Sequence, residues 1–279
     1  MVGLDSSAPF WERDYLQRGP TTVKEDVRYM LANLPVSQFR KKMILFILRR
    51  HFPQLPRDPR SLLQTPREST SKAVPGGTLL YMGLSGSLQT RLADVINHGI
   101  AIPQNLTVQV HIDGLKLYGS SRRHLWPILA GIKELPRTKI FPVAIFWGDS
   151  KPADIDSFLA DFVAELILLL KEGIYCVSEN LYSPIKLGNI VCDTPARAFV
   201  KQVKGHTGYF GCDKCIQKGL RVDNTMTYPS SGATSRNDAN FRRRQNVQHH
   251  IGLSPFERLP IDMIHSFALG VFRGNEKTT

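Results

Sequence analysis

Two hydrophobic periods alternate along this chain, and the change from one to the other divides it. Between residues 20 and 52 the apolar positions recur at helical spacing. Pro20-Thr21-Thr22 offers a start, Val27, Met30, Leu31 and Leu34 keep the period, and Pro35 breaks it. A second run sets Phe39, Met43, Phe46 and Ile47 on one stripe, with Arg40, Lys41, Lys42, Arg49 and Arg50 elsewhere. The stretch from Phe52 to Gly77 carries Pro53, Pro56, Pro59, Pro66 and Pro75 among Arg, Ser and Thr, and reads as an extended connector. Ser87 to His98 then predicts a helix with Leu88, Leu92, Val95 and Ile96 as its core face.

From Leu106 the pattern becomes that of strands. Leu106 to Asp113, Trp126 to Ile132 and Ile140 to Phe146 are three β-type runs. With Glu134-Leu135-Pro136-Arg137 as a turn, they predict an antiparallel meander. Asp149 to Lys171 follows as an amphipathic helix with Ile155, Phe158, Leu159, Phe162, Val163 and Leu166 on its apolar face. Asp154, Asp156 and Asp161 lie toward its N-terminus, and Gly173 closes it. A fourth strand runs from Ile185 to Cys192.

Each of the first and fourth strands ends in an aspartate: Asp113 before Gly114, and Asp193 before Thr194-Pro195. A carboxylate just past a buried strand sits at the sheet rim, where it can hold a hard cation such as Mg²⁺ or Mn²⁺. Either residue can equally be a turn former or a helix N-cap, and Asp193 is well placed to cap the helix after it. Strand–strand–strand–helix–strand is the order of a ribonuclease-H-like α/β fold, a mixed sheet in which strands one and four are neighbours. The two acids, 80 positions apart, would then meet. Phosphoryl transfer by two cations about 4 Å apart needs such a shared carboxylate set.

The chain has 42% apolar and 22% charged residues, which is the composition of a globular protein. Residues 1–52 are expected to form a helical region, 53–105 a connector with a helix, 106–204 the ribonuclease-H-like core, and 205–279 a cysteine-bearing insertion with a C-terminal part. Nothing in the sequence reaches the roughly 18 apolar residues of a membrane span, and Met1 to Gly19 lacks the apolar core of a secretory signal. An intracellular protein with no membrane partner is expected. The net charge of +12 favours a polyanion, nucleic acid first. The basic clusters are Arg40-Lys41-Lys42, Arg49-Arg50-His51, Arg122-Arg123 and Arg242-Arg243-Arg244, and their alternative reading is a solvated face.

Cys192 reads as a small core residue in its strand. Cys212 and Cys215, in Gly205-His206-Thr207-Gly208-Tyr209-Phe210-Gly211-Cys212-Asp213-Lys214-Cys215, have the spacing of half a zinc site. Histidines would have to complete it, from among His206, His249, His250 and His265. A redox pair or two free thiols are the other readings.

Four blocks, HIDGLKLYGSS with WPIL, GDSKPADIDSFLADFVAEL, CDTPARAFVKQVKGHTGYFGCDKC and DMIHSFALGV, occur in this order between His111 and about Gly270. They resemble the transposase domain of eukaryotic cut-and-paste DNA transposons of the CACTA (En/Spm) type and its animal relatives. LPRDPRSLLQTPR looks like the region preceding that domain. The resemblance implies a DNA partner, a nuclear location, Mg²⁺ (or Mn²⁺) held by Asp113 and Asp193 as the first two catalytic acids, and Zn²⁺ on Cys212 and Cys215 with His250 or His265. A homo-oligomer is a further expectation, and Arg122, Arg123, Arg242, Arg243 and Arg244 are the expected nucleic-acid contacts. The third acid of such families belongs on a helix after DMIHSFALGV. Glu276 is too close to that block to be it, so a C-terminally truncated transposase is expected. The alternatives are a non-catalytic nucleic-acid- or partner-binding protein on the same scaffold, or an unrelated nuclease acting on RNA.

Overall fold

Thr22 starts the first helix by a reciprocal cap: its hydroxyl accepts the Glu25 backbone N–H, and the Glu25 carboxylate accepts the Thr22 N–H. The structure, a computed structural model, describes residues 21–34, 36–64, 71–97, 99–117, 123–135, 140–176 and 181–269. Pro20, Pro35, His98, Arg122, Pro136-Arg137 and Glu276, each given a part above, lie outside these. The chain divides into two compact units, Met1–Ser69 and Thr70–Thr279. This boundary differs in place from the expected ones at 52 and 105.

In the first unit, α1 (Val23–Asn33), α2 (Gln38–Leu48) and α3 (Pro59–Leu62) enclose Val27, Leu31, Leu45, Leu55 and Leu62, with Ile44, Leu48 and Phe52 packed around them. One expectation changes. The first half of the proline-rich stretch is not an extended connector, because Leu55 and Leu62 are buried in this cluster. The stripe of Phe39, Met43, Phe46 and Ile47 faces outward. Helix α2 is apolar on both sides, so periodicity offers two faces, and the small core takes the one carrying Ile44, Leu45 and Leu48.

The second unit is built on an eight-stranded sheet in the order β1-β2-β6-β5-β3-β9-β12, with β4 also pairing β5. Its strands are β1 (Ser71–Val74), β2 (Gly77–Tyr81), β3 (Leu106–Ile112), β4 (Leu115–Lys116), β5 (His124–Ile132), β6 (Phe141–Gly148), β9 (Ile185–Cys192) and β12 (Phe267–Leu269). From Ser71 the proline-rich stretch enters a hairpin, β1–β2, that extends the meander by pairing β2 antiparallel to β6. β3, β5 and β6 pair antiparallel in sequence, whereas β9 runs parallel to β3, and β12 parallel to β9. The fold is mixed α/β. Two separate antiparallel pairs, β7 (Ile174–Cys176) with β8 (Leu181–Ser183) and β10 (Leu220–Val222) with β11 (Thr225–Thr227), have no counterpart in the sequence reading.

Helices α4 (Leu84–Asn97) and α5 (Ile155–Glu172) pack against each other and on the sheet. All six residues expected on the apolar face of α5 are buried, and Asp154 caps it by accepting the Ser157 N–H at 2.8 Å. Helix α4 starts at Leu84, three residues before the expected Ser87. Its first N–H groups are satisfied by Glu165 of α5, which accepts from Leu84 at 2.6 Å, from Ser85 at 2.9 Å, and from the Tyr81 hydroxyl. Burial first, then this carboxylate, pushes the Tyr81 phenol well above its ordinary range. Among the described residues, no helix is long and apolar enough to cross a membrane.

Candidate functional site

Asp113 and Asp193 follow adjacent parallel strands, and a bulge decides that they are level. β3 and β9 begin in the register Leu106↔Ile185 and Val108↔Leu187, then shift to Val110↔Ile190 and His111↔Val191. The extra residue of β9 lies at Gly188-Asn189. A Cβ on Gly188 would meet the Thr107 methyl at 2.9 Å, so the strand crosses there only as glycine. Continued two residues, the shifted register sets Asp113 opposite Asp193; unshifted, it would set Cys192 there. A one-residue slip also turns side chains to the other face. The bulge therefore puts two carboxylates on one face of the rim, while Ile112 and Cys192 point into the core.

The pair is electrostatically coupled. Burial pushes the Asp113 carboxyl up and the charge of Asp193 adds to this, against the Gly114 N–H and His111, which pull it down. The Gly114 N–H donates to Asp113 Oδ1 at 2.7 Å. Gly114 has to be glycine, since a Cβ there would lie 2.7 Å from the Trp126 indole. Trp126 is held edge-on to Phe199 and Phe158, with centroids at 5.2 and 6.5 Å. Asp193 is also the helix cap that its context allowed: Oδ1 accepts the Ala196 N–H at 2.7 Å and opens α6 (Thr194–Lys201). His111 feels the charge of both acids. It lies two residues before Asp113 on the same face of β3, and burial lowers its basicity against the pull of Asp113 and Asp193. The i, i+2 spacing in His111-Ile112-Asp113 is the signal that would have found it.

Oxygen ligands at a sheet rim, one of them raised by burial and a like charge, are a fitting seat for Mg²⁺ or Mn²⁺, because a divalent cation relieves that repulsion. Among the described residues, no group of three or more His, Cys, Asp or Glu converges as a ready-made metal cage. Among the described residues, Asp113 and Asp193 are the carboxylates that this rim could offer a hard cation.

The cysteines come together in the insertion that follows α6. Cys215 Sγ lies 3.1 Å from Cys212 Sγ, and the Gln217 amide donates to Cys215 at 2.9 Å. Burial pushes the Cys212 thiol up. On Cys215 the same effect is outweighed by the hydrogen bonds of Gln217 and Cys212, which draw it down. Between them, Asp213 reaches back to α6, paired with the fully buried Lys201 and with Arg197 at 3.5 Å. Burial works to raise Asp213, and the two cations outweigh it and hold the carboxyl low.

The histidines expected to complete a zinc set do not join the thiols. His250 Nδ1 lies 3.0 Å from an Arg244 nitrogen, and its ring packs on Phe241 with centroids 4.7 Å apart. His265 is exposed and pairs with Asp262 at 2.8 Å. The buried His249 bonds the Phe210 carbonyl at 2.6 Å, and burial pushes it down to about 4.

Of the expected nucleic-acid contacts, Arg122 lies outside the described residues, and Arg123 is exposed just beyond the rim, where its carbonyl accepts the Leu117 N–H. In the triplet, Arg242 is committed inside the domain: it pairs with Asp238 and donates to the carbonyls of Glu257, Leu259 and Ile261. Arg244 donates from its Nη2 to both Glu257 carboxylate oxygens, at 2.7 and 2.9 Å. Both brace the segment leading into β12, and only Arg243 of the three is exposed.

No protein-family model matches this chain, and no curated protein matches it.

Proposed function

We propose that this chain is a transposase-derived protein that binds DNA through a ribonuclease-H-like core, and that its ancestral reaction is Mg²⁺- or Mn²⁺-dependent DNA strand cleavage and transfer. The observation that carries this is the level placement of Asp113 and Asp193 on adjacent parallel strands. The order β6-β5-β3-β9 supports the finer fold reading, since it sets the first strand of the meander beside the strand that follows the helix. Asp113, oriented by the Gly114 N–H, and Asp193, anchored at the start of α6, would hold the cations. When bound, divalent ions supply activation of the attacking oxygen and charge neutralisation at the leaving one. The carboxylates' own task is to keep their oxygens fixed at the rim, and exposed cations such as Arg123 and Arg243 would take the phosphodiester backbone.

Zn²⁺ on Cys212 and Cys215 is part of the proposal. The thiols fit half of a tetrahedral set, and His250 and His265 do not complete it, so no step is derived from it. A nuclear location belongs to the same proposal.

The test is nicking of supercoiled DNA by the purified full chain, with Mg²⁺ or Mn²⁺, beside Asp113→Asn. Metal-dependent nicking lost in the variant supports the enzyme. The second reading, a non-catalytic nucleic-acid- or partner-binding protein on a degenerate scaffold, is favoured by the lack of a third carboxylate beside the pair among the described residues. It expects no nicking, with salt-sensitive DNA binding that survives Asp113→Asn. Preferential cleavage of RNA in a hybrid duplex would point to a ribonuclease instead.

A further inference from the structure

The outward face of α2 is the largest unexplained feature of the first unit. Phe39, Met43, Phe46 and Ile47 are 71%, 50%, 73% and 55% exposed. At about 100° per residue they fill an arc of about 100°, opposite the buried Leu45. The two phenylalanines alone expose on the order of 300 Å², about the size of the largest apolar patch on a typical monomer, which is often functional. Their i, i+4, i+7, i+8 spacing is that of anchors on a helix that lies in a groove.

The charges around the stripe choose the occupant. Exposed Lys42 flanks it on one side and exposed Arg40 on the other, and Arg50 follows at its C-terminal end. No Asp or Glu occurs between Asp26 and Asp58, a stretch that carries Arg28, Arg40, Lys41, Lys42, Arg49, Arg50 and Arg57. A second copy of this face would oppose cation to cation. Duplex DNA would meet the cations but leave four apolar side chains against a polar groove. We infer that α2 docks another protein, through an apolar groove or amphipathic helix rimmed with Asp and Glu. Apolar anchors would supply affinity, and the rim charges would supply selectivity and encounter rate. This surface stands apart from the reading of the aspartate pair and does not depend on it.

The experiment uses the full chain and two labelled synthetic helical peptides with the same leucine face, one flanked by Glu and one by Lys, read by fluorescence anisotropy. The Glu-flanked peptide should bind at least tenfold more tightly than the Lys-flanked one and weaken with salt. Phe39→Ser with Phe46→Ser should cost at least tenfold while circular dichroism stays unchanged. Arg40→Glu with Lys42→Glu should reverse the preference. Equal binding of the two peptides, or none, overturns the inference. So does self-association in sedimentation equilibrium that the Phe39→Ser/Phe46→Ser variant abolishes, which would make a second copy the occupant. Displacement of the Glu-flanked peptide by a 20-bp duplex, or Phe39- and Phe46-dependent binding to anionic phosphatidylserine vesicles, overturns it in favour of those partners.

Discussion

Asp113 and Asp193 repel each other, and the size of that repulsion can be measured without any enzymatic assay. Neighbouring strands lie about 4.8 Å apart. Two carboxylates level across them, about 5–6 Å apart at an effective dielectric constant of about 40–80, repel by about 0.7–1.7 kcal/mol. Asparagine is the right probe because it keeps the shape and an acceptor oxygen. At Asp193 it still caps α6, since Asn and Asp are equivalent N-caps, though it gives up about 0.3–1 kcal/mol of charge–dipole attraction. Asp113→Asn should therefore stabilise the fold by about 1 kcal/mol at neutral pH, or about 2–4 °C for a unit of this size. The sign agrees with the raised Asp113 carboxyl: a group that binds its proton more tightly when folded contributes stability below its unfolded pKa and loses it as pH rises.

The assay is a double-mutant cycle of Asp113→Asn and Asp193→Asn by urea denaturation, run in EDTA and again in millimolar Mg²⁺. In EDTA the cycle should return a repulsive coupling of about 1 kcal/mol. In Mg²⁺ the wild type should gain stability, and Asp113→Asn should gain much less. A coupling below about 0.3 kcal/mol, with no selective response to Mg²⁺, would refute the claim that these carboxylates form one site.

Glu165→Ala removes the acceptor of two helix N–H groups and a hydroxyl, and should cost about 2–4 kcal/mol in thermal or urea denaturation, with Glu165→Gln costing less. His249, folded with a value of about 4 against an ordinary value of about 6.5, stays neutral while the unfolded chain protonates. Stability should hold above pH 6.5 and fall toward pH 4 in a pH series of urea melts, by about 2–3 kcal/mol from His249 and a similar amount from His250, which burial also pushes down to about 4, and His249→Leu should remove about half of that slope. Arg242→Ala should lose about 2–4 kcal/mol of stability by urea denaturation because four partners go unmet. Arg243→Ala should leave the urea midpoint unchanged and, in a salt titration of DNA binding, reduce the slope by about 1.

The second unit is the more legible part of the fold, and the reason lies in its core. Strands β3 and β5 and helix α5 each carry an unbroken apolar face long enough for one period to dominate, and β6 and β9 stay apolar on either side of a bulge, so their positions follow from the sequence within a few residues. What is not legible depends on partners distant in the chain. Helix α4 begins at Leu84 because Glu165, 81 positions on, supplies its cap. No local pattern could reveal that remote cap. The proline-rich stretch reads as a connector because Pro and Arg hide Leu55 and Leu62, whose burial is decided by α1 and α2. On α2 both faces are apolar, and which one turns inward depends on the size of the core rather than on spacing.

The site divides along the same line. Asp113 and Asp193 can be read because strand ends are local features, and Cys212 with Cys215 because a tight turn brings i and i+3 together. The histidines and the arginine triplet cannot, because side-chain type does not tell an exposed cation from one that braces a loop, as Arg242 and Arg244 do. The step most hidden in the sequence is the bulge at Gly188. The reading from strand order brings two strands together but leaves open which residue of one meets Asp113 on the other. Without the extra residue Cys192 would stand level with it, a thiol that burial pushes up to about 12 and that offers no charge to a cation. One residue in the middle of β9, five positions before the acid it serves, thus determines whether the rim presents one carboxylate or two.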